Sequence, residues 1–456
     1  MMDEKTLQNK IKDIMPQIQA NLARLVAYRS VANTDVEPLQ ECLNAANDVA
    51  ESFTKVGVQN VKLIDMPYKH PTVYGYTPPP SGAPTVLLYG HYDVQPSEEE
   101  SGEWKSPPFS LTERDGRLYG RGAADCKGNV VAHLAALQAY DGEFPVGVRV
   151  VIEGSEEQGL GELEGYVEKH PEEFQADAIL LADTGNFKLG LPTFTTTLRG
   201  MAALTVSVRT LAGSVHSGMF GGPAPDALLA LIKMLATLHD ENGNVTIQGF
   251  ANDQDWSGVE YPPDQFRTDA RVLDGVELVG DGGVSSMLWS RIAITVIGID
   301  CPSVSEAANA IPAEAAARIS MRVPPGIDSQ AAQQALMDHL KAVAPWNVQI
   351  EIEPGDPGSP FEANTLGPAY AAMREAMAAA YGSQATTAGQ GGSIGLANTL
   401  NDASPQAELM LIGVEEPACL IHAPNESVDL KELERHTLSE TIFLTKFAEH
   451  WKQAGK

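Results

Sequence analysis

The sequence predicts an α/β protein of two domains: a larger domain with a sheet flanked by helices, and a ferredoxin-like α+β domain inserted into it. At both ends of the chain, short apolar runs typical of buried strands alternate with helical patterns. Between residues 199 and 357 the elements follow the separate order βαββαβ, that of a self-contained ferredoxin-like sheet. The length of 456 residues also exceeds what one hydrophobic core usually supports. We therefore divide the chain into residues 1–198, 199–357 and 358–456, the first and last parts forming one domain.

The overall charge argues against two classes of partner. The chain has 31 Lys and Arg residues against 60 Asp and Glu residues, a formal net charge of −29, which repels nucleic acid and anionic lipid. It contains no apolar run of the roughly 18 residues that a membrane span requires, and its start lacks the apolar core of a secretory signal. The cysteines form no C-x-x-C pair, which favours free thiols. We expect a cytoplasmic protein that binds neither nucleic acid nor membrane.

A histidine and an aspartate follow the first apolar strand of the larger domain. Residues 85–89 have the pattern of that strand, and His91 and Asp93 come after it. Residues two apart on a strand point to the same side, and a metal-ligating histidine usually has a carboxylate that fixes its tautomer. The pair therefore indicates a metal site, although by itself it is also compatible with ordinary turn residues.

A glycine-rich loop, residues 119–128, places Asp125 just before a helix predicted at 129–137. Free backbone N–H groups at the start of a helix favour an ionised carboxylate. The alternative is a helix cap, which is the usual role of an aspartate in this position. Within the helix, His133 lies among Ala, Leu and Val residues, and we interpret it as a structural histidine.

Charged residues also follow three further predicted strands, at residues 146–152, 178–181 and 409–413. Glu156 and Glu157 lie between glycines, where charge is costly without a counter-ion, although adjacent glutamates are usually solvated. Asp183 follows the second strand, and His422 lies in a proline-bounded loop after the third, where a surface residue is the alternative. Ligands in open α/β sheets bind outside the carboxyl ends of the strands. The repeated pattern therefore predicts one shared site.

The inserted domain has a complete set of elements of its own. Its strands are predicted at 203–208, 292–296, 317–322 and 348–352, and its helices at 227–238 and 330–343. Residues 240–290 are rich in Gly and Asp, and we predict that they form a loop. The glycine-rich segment 213–222 allows its backbone to approach a ligand, and its His216 can donate a hydrogen bond; a flexible turn is the alternative. If Asp183 and His422 meet at one site, this domain projects from the larger one as a lid.

Together these motifs resemble those of the two-zinc metallopeptidases of the aminoacylase/carboxypeptidase type, and within them the cytosolic dipeptidase, or carnosinase-like, branch. The resemblance extends over almost the whole chain. It rests on the loop of Asp183, on His422 and on the segments GHYDVQP, YGRGAADCKG, EGSEEQG, VHSGMFGG and GGSIG. It implies a zinc-peptidase-like catalytic domain, with a mixed sheet flanked by helices, and a lid domain through which two copies form a homodimer.

The resemblance also implies two divalent metal ions, expected to be zinc, with manganese or cobalt as substitutes. One ion would be bound by His91 and Asp183, and the other by Glu157 and His422. Asp125 would bridge both ions.

The same resemblance assigns catalytic and substrate-binding roles. Asp93 would orient His91, and Glu156 would be the general base that activates a water between the metals; spacing alone leaves Glu156 and its neighbour equivalent. His216, often contributed to the site of a partner subunit, would lie at the reacting carbonyl and stabilise the oxyanion. The residues implied to contact substrate are Asn309, Arg322, which would hold the terminal carboxylate, and Ser393.

The sequence departs from the pattern of the family in three places. Cys126 stands where relatives often have a second aspartate, and Gly395 replaces a common proline. Residues 388–390 are Ala-Gly-Gln, where many relatives have Arg-Glu before Gly-Gly-Ser. We expect the metal site to tolerate these changes, whereas substrate preference stays open.

We therefore predict a dinuclear metal-dependent hydrolase of small-peptide or dipeptide substrates with a free C-terminal carboxylate. An N-acyl amino acid deacylase or desuccinylase of the same superfamily is the nearest alternative. Residues 391–395 also match the G-x-S-x-G motif of serine hydrolases, but residues 384–390 make a poor strand for a nucleophile elbow. A non-catalytic binding protein is the third alternative, and the presence of the base and of all five ligands argues against it.

Overall fold

The structure is a computed structural model that describes residues 2–97, 99–250, 252–392 and 394–455. The chain separates into two compact units. The first unit contains Met1–Thr196, Ala363–Ala388 and Gly395–Lys456, and the second contains Thr197–Glu362 and Gly389–Ile394. The division at residues 199 and 357 stays a prediction.

Helices and strands alternate through most of the chain. The helices are α1 (Glu4–Val26), α2 (Leu39–Lys55), α3 (Lys127–Gln138), α4 (Glu162–Lys169), α5 (Ser217–Phe220), α6 (Ala227–Ala236), α7 (Pro263–Asp269), α8 (Val284–Trp289), α9 (Ser329–Ala342), α10 (Pro368–Tyr381), α11 (Gly395–Ala403) and α12 (Leu430–Gln453). The strands are β1 (Lys62–Ile64), β2 (Thr72–Thr77), β3 (Thr85–His91), β4 (Thr112–Arg114), β5 (Arg117–Tyr119), β6 (Gly147–Glu153), β7 (Ala178–Ala182), β8 (Thr193–Leu198), β9 (Gly200–Arg209), β10 (Val215–His216), β11 (Ala293–Asp300), β12 (Ala310–Ile311), β13 (Glu314–Val323), β14 (Gln349–Pro354), β15 (Phe361–Glu362), β16 (Thr386–Gln390), β17 (Glu408–Ile412) and β18 (Ser427–Asp429).

The main sheet is mixed and has the order β1-β2-β6-β3-β7-β17-β8-β15, with β16 also paired to β8. Strands β6, β3, β7 and β17 run parallel at its centre, and β2 and β8 are antiparallel to their neighbours. Every residue of β7 and β17 is buried, as expected for strands covered on both faces. These four parallel strands are the ones predicted from apolar runs, so the predicted α/β fold is confirmed. Their carboxyl ends lie along one edge of the sheet.

Helices α1, α3 and α12 pack against one another beside this sheet. α1 begins at Glu4, where the Asp3 carboxylate caps the helix by accepting a hydrogen bond from Thr6 N at 2.7 Å. α3 also packs against β3, and nearly all of its residues are buried. Among the described residues, no helix combines the length and apolarity that crossing a bilayer requires.

The second unit contains an antiparallel sheet of order β14-β9-β13-β11, against which α6 and α9 pack. With the chain order β9-α6-β11-β13-α9-β14, this is the predicted ferredoxin-like arrangement. The prediction that 240–290 is only loop is wrong, because α7 and α8 form there. Trp289 is buried and packs its ring 5.2 Å from Trp256 and 6.0 Å from Tyr261, so aromatic burial stabilises this insert.

The prediction that residues 384–390 make a poor strand is also wrong. β16 forms at the edge of the main sheet, where Thr386 N donates to Pro192 O at 2.9 Å. Pairing with β8 compensates for the low strand propensity of this segment. Ser393, which follows it, lies outside the described residues.

Candidate metal centre

Four parallel strands and one helix bring the predicted residues of the first unit together. β3 and the turn after it, the turn after β6, the end of β7 and the loop after β17 all contribute side chains at one edge of the sheet. The loop before α3 adds one more. The residues that meet there are His91, Asp93, Asp125, Glu156, Glu157, Asp183 and His422.

Asp125 connects two groups of side chains. Its Oδ1 lies 3.0 Å from His91 Nε2, which is also 3.2 Å from Asp183 Oδ1. Its Oδ2 lies 2.9 Å from His422 Nε2, which is also 3.1 Å from Glu157 Oε2. One carboxylate oxygen therefore faces each histidine, as a ligand that bridges two cations requires.

The donor set fits divalent metal ions. Two ligand atoms that share a tetrahedral ion, each about 2.1 Å from it, lie about 3.4 Å apart. The separations of 2.9–3.2 Å between imidazole nitrogens and carboxylate oxygens are close to this value. In the metal-free chain, hydrogen bonds to Asp125 and Glu157 raise the pKa of His422 to about 10. Imidazole and carboxylate donors suit zinc, manganese or cobalt.

Asp93 is fully buried behind this arrangement. Nδ1 of His91, the ring nitrogen that does not face Asp125, lies 3.1 Å from the backbone carbonyl oxygen of Asp93 and 3.3 Å from its Oδ1. Its two carboxylate oxygens also accept hydrogen bonds from the backbone N–H groups of Glu156, at 3.2 Å, and Glu157, at 3.1 Å. Asp93 thus orients the histidine mainly through its backbone carbonyl, and its carboxylate holds the turn that carries the two glutamates.

The two adjacent glutamates have different surroundings. The side chain of Glu157 is nearly inaccessible, and its Oε2 accepts a hydrogen bond from Gln95 Nε2 at 2.8 Å. The side chain of Glu156 is 30% exposed, and its Oε2 lies 4.0 Å from His91 Nε2. Burial and the charge of Asp183 raise the pKa of Glu156 to about 9. The structure therefore distinguishes the two residues that spacing leaves equivalent.

Glu426 is a residue of this region that sequence patterns do not single out. It is fully buried, and its carboxylate accepts four hydrogen bonds. The donors are Arg121 Nη1 at 2.7 Å, Gly122 N at 3.0 Å, Ala124 N at 3.1 Å and Asp125 N at 3.2 Å. A single carboxylate thus holds the loop before α3 to the loop after β17. Its partners lie about 300 positions earlier in the chain, so no local pattern indicates them.

Glu415 is a second residue that was not predicted. It lies shortly after β17, and its carboxylate is within 4.8 Å of oxygens of Asp125 and Asp183. The sequence pattern that indicated Asp93 could also have indicated Glu415. Each residue closely follows an apolar strand, Asp93 after β3 and Glu415 after β17.

The second unit contains the other predicted residues. His216 pairs with Ala310 across β10 and β12, and the carbonyl of Asn309 accepts a hydrogen bond from Ser217 N at 2.9 Å. These two residues therefore lie side by side on an exposed part of the unit. Arg322 lies on β13, opposite Met201 of β9.

Arg199 lies just before β9, two residues from Met201, the residue paired with Arg322. Its side chain is largely buried, and among the described residues its Nε and Nη1 have no hydrogen-bond partner. Burial and the charge of Arg322 lower the pKa of Arg199 to about 10. A Cβ added at Gly391 would lie 2.7 Å from Arg199 Nη2, so the Gly-Gly loop also approaches this guanidinium. Two neighbouring cationic side chains favour an anionic ligand.

His133 has the structural role that its surroundings predict. It is fully buried, its Nδ1 lies 2.9 Å from Glu440 Oε2, and its Nε2 lies 3.0 Å from the carbonyl of Tyr89. Glu440 also pairs with His436 at 3.0 Å. These contacts connect α3 and α12 to β3 and leave His133 no role at the metal centre.

Comparison with known proteins now identifies the family. Residues 87–442 match the profile of Peptidase family M20/M25/M40. The chain belongs to this family. The match spans every predicted residue of the metal centre, and it disfavours the serine-hydrolase alternative even though a strand and a helix flank Ser393.

Relatives place the chain in the dipeptidase branch of the M20 peptidases. A cysteinylglycine-S-conjugate dipeptidase of Corynebacterium striatum is 44% identical over 391 residues, which cover 82% of this chain and 85% of that relative. The Cys-Gly metallodipeptidase dug1 of Schizosaccharomyces pombe is 29% identical over 348 residues, 71% of this chain and 72% of its own length. The crystal structure of human carnosine dipeptidase 1 superposes with a TM-score of 0.78 at 24% identity, covering 98% of this chain and 99% of that chain. The predicted enzyme class, a metallopeptidase, is confirmed.

Proposed function

We propose that this M20 peptidase is a dinuclear metal-dependent dipeptidase that hydrolyses dipeptides or small peptides with a free C-terminal carboxylate. The observation that carries the proposal is the position of Asp125, which turns one oxygen toward each of two imidazole–carboxylate groups. A carboxylate shared in this way serves two cations bound side by side.

Zinc is the proposed metal, with manganese or cobalt as substitutes, because nitrogen and oxygen donors suit all three. His91 and Asp183 would hold one ion, and Glu157 and His422 the other. A bound pair of such ions polarises a substrate carbonyl and lowers the pKa of a shared water. Glu156, which is partly exposed beside both groups, would take a proton from water and return it to the leaving amine.

Features of the second unit support a substrate with a free carboxylate. Arg199 is close enough to Arg322 for the charge of Arg322 to affect its pKa, and a planar guanidinium binds a carboxylate through two parallel hydrogen bonds. The names of the relatives, which refer to cysteinylglycine conjugates, Cys-Gly and carnosine, also support dipeptides. His216 and Asn309 would contact the scissile carbonyl and the substrate backbone, and Ser393 would add a further contact.

A homodimer formed through the second unit is also proposed. β11 is an edge strand of its sheet, and Ile297 and Ile299 on it are exposed, as are Leu229 and Ile232 on α6. Exposed apolar side chains on an edge strand favour association with another chain. Sedimentation velocity would test this proposal, and a monomer at micromolar concentration would contradict it.

Metal content measured beside turnover tests the proposed reaction. We expect two metal ions per chain, loss of activity on chelation, and hydrolysis of free dipeptides in preference to dipeptide amides and N-acyl amino acids. Preferred turnover of N-acyl amino acids would instead support the deacylase alternative. Cytoplasmic localisation stays a prediction.

A Glu156→Gln variant tests the general base. We expect kcat to fall about 10²- to 10⁴-fold with metal content unchanged, because only the proton-transfer group is lost. Glu168→Gln, a change at an exposed glutamate of the same unit, is the matched control and should keep wild-type turnover. Near-normal turnover of Glu156→Gln would show that another group is the base.

A further inference from the structure

Glu415 is the strongest feature near the metal centre that the proposed reaction does not use. It is 9% exposed, and its Oε1 is buried without a hydrogen-bond partner among the described residues. A buried carboxylate without a partner is costly, because it loses the water that would otherwise solvate it. Such a group therefore indicates a ligand that the protein chain itself does not supply.

The backbone holds Glu415 firmly beside the metal centre. The carbonyl of Glu415 accepts a hydrogen bond from Asn186 N at 2.8 Å, and Glu415 forms a parallel bridge with Gly185. A Cβ added at Gly185 would lie 2.1 Å from the Glu415 carbonyl oxygen, so only glycine allows this approach. The extension of β17 is thus fixed against the extension of β7, two residues from Asp183.

Three carboxylates converge as a result. Oxygen atoms of Asp125, Asp183 and Glu415 all lie within 4.8 Å of one another. The first two also contact His91, at 3.0 and 3.2 Å, whereas Glu415 Oε1 has no such partner in the described chain. Three like charges this close repel one another, and a divalent cation between them would reverse the sign of the interaction.

We propose that Glu415 is a further metal-binding residue, whose carboxylate binds the ion that His91 and Asp183 hold. This inference rests on the proposed dinuclear function. With Glu415 included, four carboxylates would face two divalent ions, so their formal charges would balance. An added oxygen donor favours a higher coordination number and harder ions, so it would raise the affinity for manganese relative to that for zinc.

A Glu415→Gln variant tests the inference, with Glu416→Gln as its matched control. Glu416 is the next residue and is equally buried, but it pairs with Arg117 Nη1 at 2.6 Å and lies outside the cluster. Affinities for Mn²⁺, Co²⁺ and Zn²⁺ would be measured by calorimetry on the chelator-treated protein. The visible absorption of bound Co²⁺ would report coordination geometry, and urea denaturation would report the stability of the metal-free chain.

The two variants are expected to show opposite patterns. Glu415→Gln should weaken metal binding at one of the two sites by at least about 10-fold, with the largest loss for Mn²⁺, and should change the Co²⁺ spectrum. Its metal-free stability should be unchanged or higher, because repulsion among three carboxylates is relieved. Glu416→Gln should lower metal-free stability by breaking a buried ion pair and should keep wild-type metal affinity.

Three results separate this inference from the proposed function. If the wild-type chain binds fewer than two ions, the dinuclear function fails. If it binds two and Glu415→Gln retains their affinities and the Co²⁺ spectrum, only the role of Glu415 is refuted. If Glu415→Gln instead loses metal-free stability, as Glu416→Gln is expected to, the carboxylate has a structural partner and the inference is again refuted.

Discussion

Glu426→Gln is the perturbation whose consequence can be worked out most fully from the structure. Glu426 Oε2 accepts hydrogen bonds from Arg121 Nη1 and Gly122 N, and Oε1 accepts them from Ala124 N and Asp125 N. Glutamine has nearly the same volume but only one side-chain acceptor. It is expected to keep that oxygen toward the buried Arg121 cation, which turns its NH₂ group toward two backbone N–H groups.

Two estimates of the stability that Glu426→Gln would lose agree. Each buried N–H that loses its acceptor costs about 1–3 kcal/mol, so two of them cost about 2–6 kcal/mol. Removing one charge of a buried ion pair costs about 3–5 kcal/mol, and the Arg121 and Glu426 side chains are only 2% and 1% exposed. We therefore expect the free energy of unfolding of the metal-free protein to fall by about 3–5 kcal/mol. Because Asp125 N is one of the freed groups, metal affinity should also fall, by about 10-fold or more.

Glu408→Gln is the matched control for a general loss of stability. Glu408 is also a buried carboxylate of the first unit, and it accepts hydrogen bonds from Ala369 N and Tyr370 N, both at 2.9 Å, at the start of α10. Replacing Glu408 with Gln leaves one backbone N–H without an acceptor. The free energy of unfolding should fall by about 1–3 kcal/mol, with metal affinity unchanged. Urea denaturation followed by circular dichroism measures stability, and calorimetry measures metal affinity.

Two outcomes would contradict this reasoning. A loss of less than about 1 kcal/mol for Glu426→Gln would mean that the four hydrogen bonds contribute little, contrary to the usual cost of unpaired buried groups. Equal losses of metal affinity in both variants would mean that general destabilisation, and not the lost connection between the two loops, weakens metal binding.

Three further predictions concern protons and the second unit. Filling both metal sites at pH 7 should release at least about two protons. Burial lowers the pKa of His91, but hydrogen bonds to Asp125 and Asp183 outweigh it and raise that pKa well above its usual value, and the pKa of His422 is raised to about 10. Calorimetry in buffers of different ionisation enthalpy would detect this release, and a buffer-independent heat would contradict it. Although burial opposes ionisation, His133 and His436 lower the pKa of Glu440 to about 2, so its contribution to stability is present above pH 4.5 and is lost as pH falls toward 2. The stability deficit of Glu440→Gln should therefore shrink between pH 4.5 and 2, and a constant deficit over that interval would refute this. His216→Ala should lower kcat about 10²- to 10³-fold if it stabilises an oxyanion, whereas His170→Ala, at a half-exposed histidine of the first unit, should not.

The elements that carry the metal centre could be predicted from the sequence because their signals are local. The parallel strands β3, β6, β7 and β17 are short apolar runs, and burial on both faces requires such runs wherever a parallel sheet is covered by helices. His91, Asp125 and Asp183 come at or just after the ends of elements, where a ligand-binding edge of the sheet is expected. The resemblance of the motifs to a known family supplied the roles that spacing leaves open.

Local signals were less successful where pairing with a distant segment decides the structure. β16 forms despite weak strand propensity because β8 offers it an edge, and α7 and α8 form because aromatic residues of the insert pack on Trp289. Propensity describes a segment in isolation, and neither contact exists until the chain has folded.

By itself, then, the sequence determined the fold class, the ferredoxin-like insert and the set of candidate ligands. The resemblance to a known family assigned Asp125 to both histidines and Glu157 to His422, and the distances in the structure agree with this. Only the tertiary structure brought Glu415 and Glu426 into the same region. Periodicity records which side of an element is buried. It does not show which buried charged side chains contact each other, because those contacts join segments up to about 300 positions apart in the sequence.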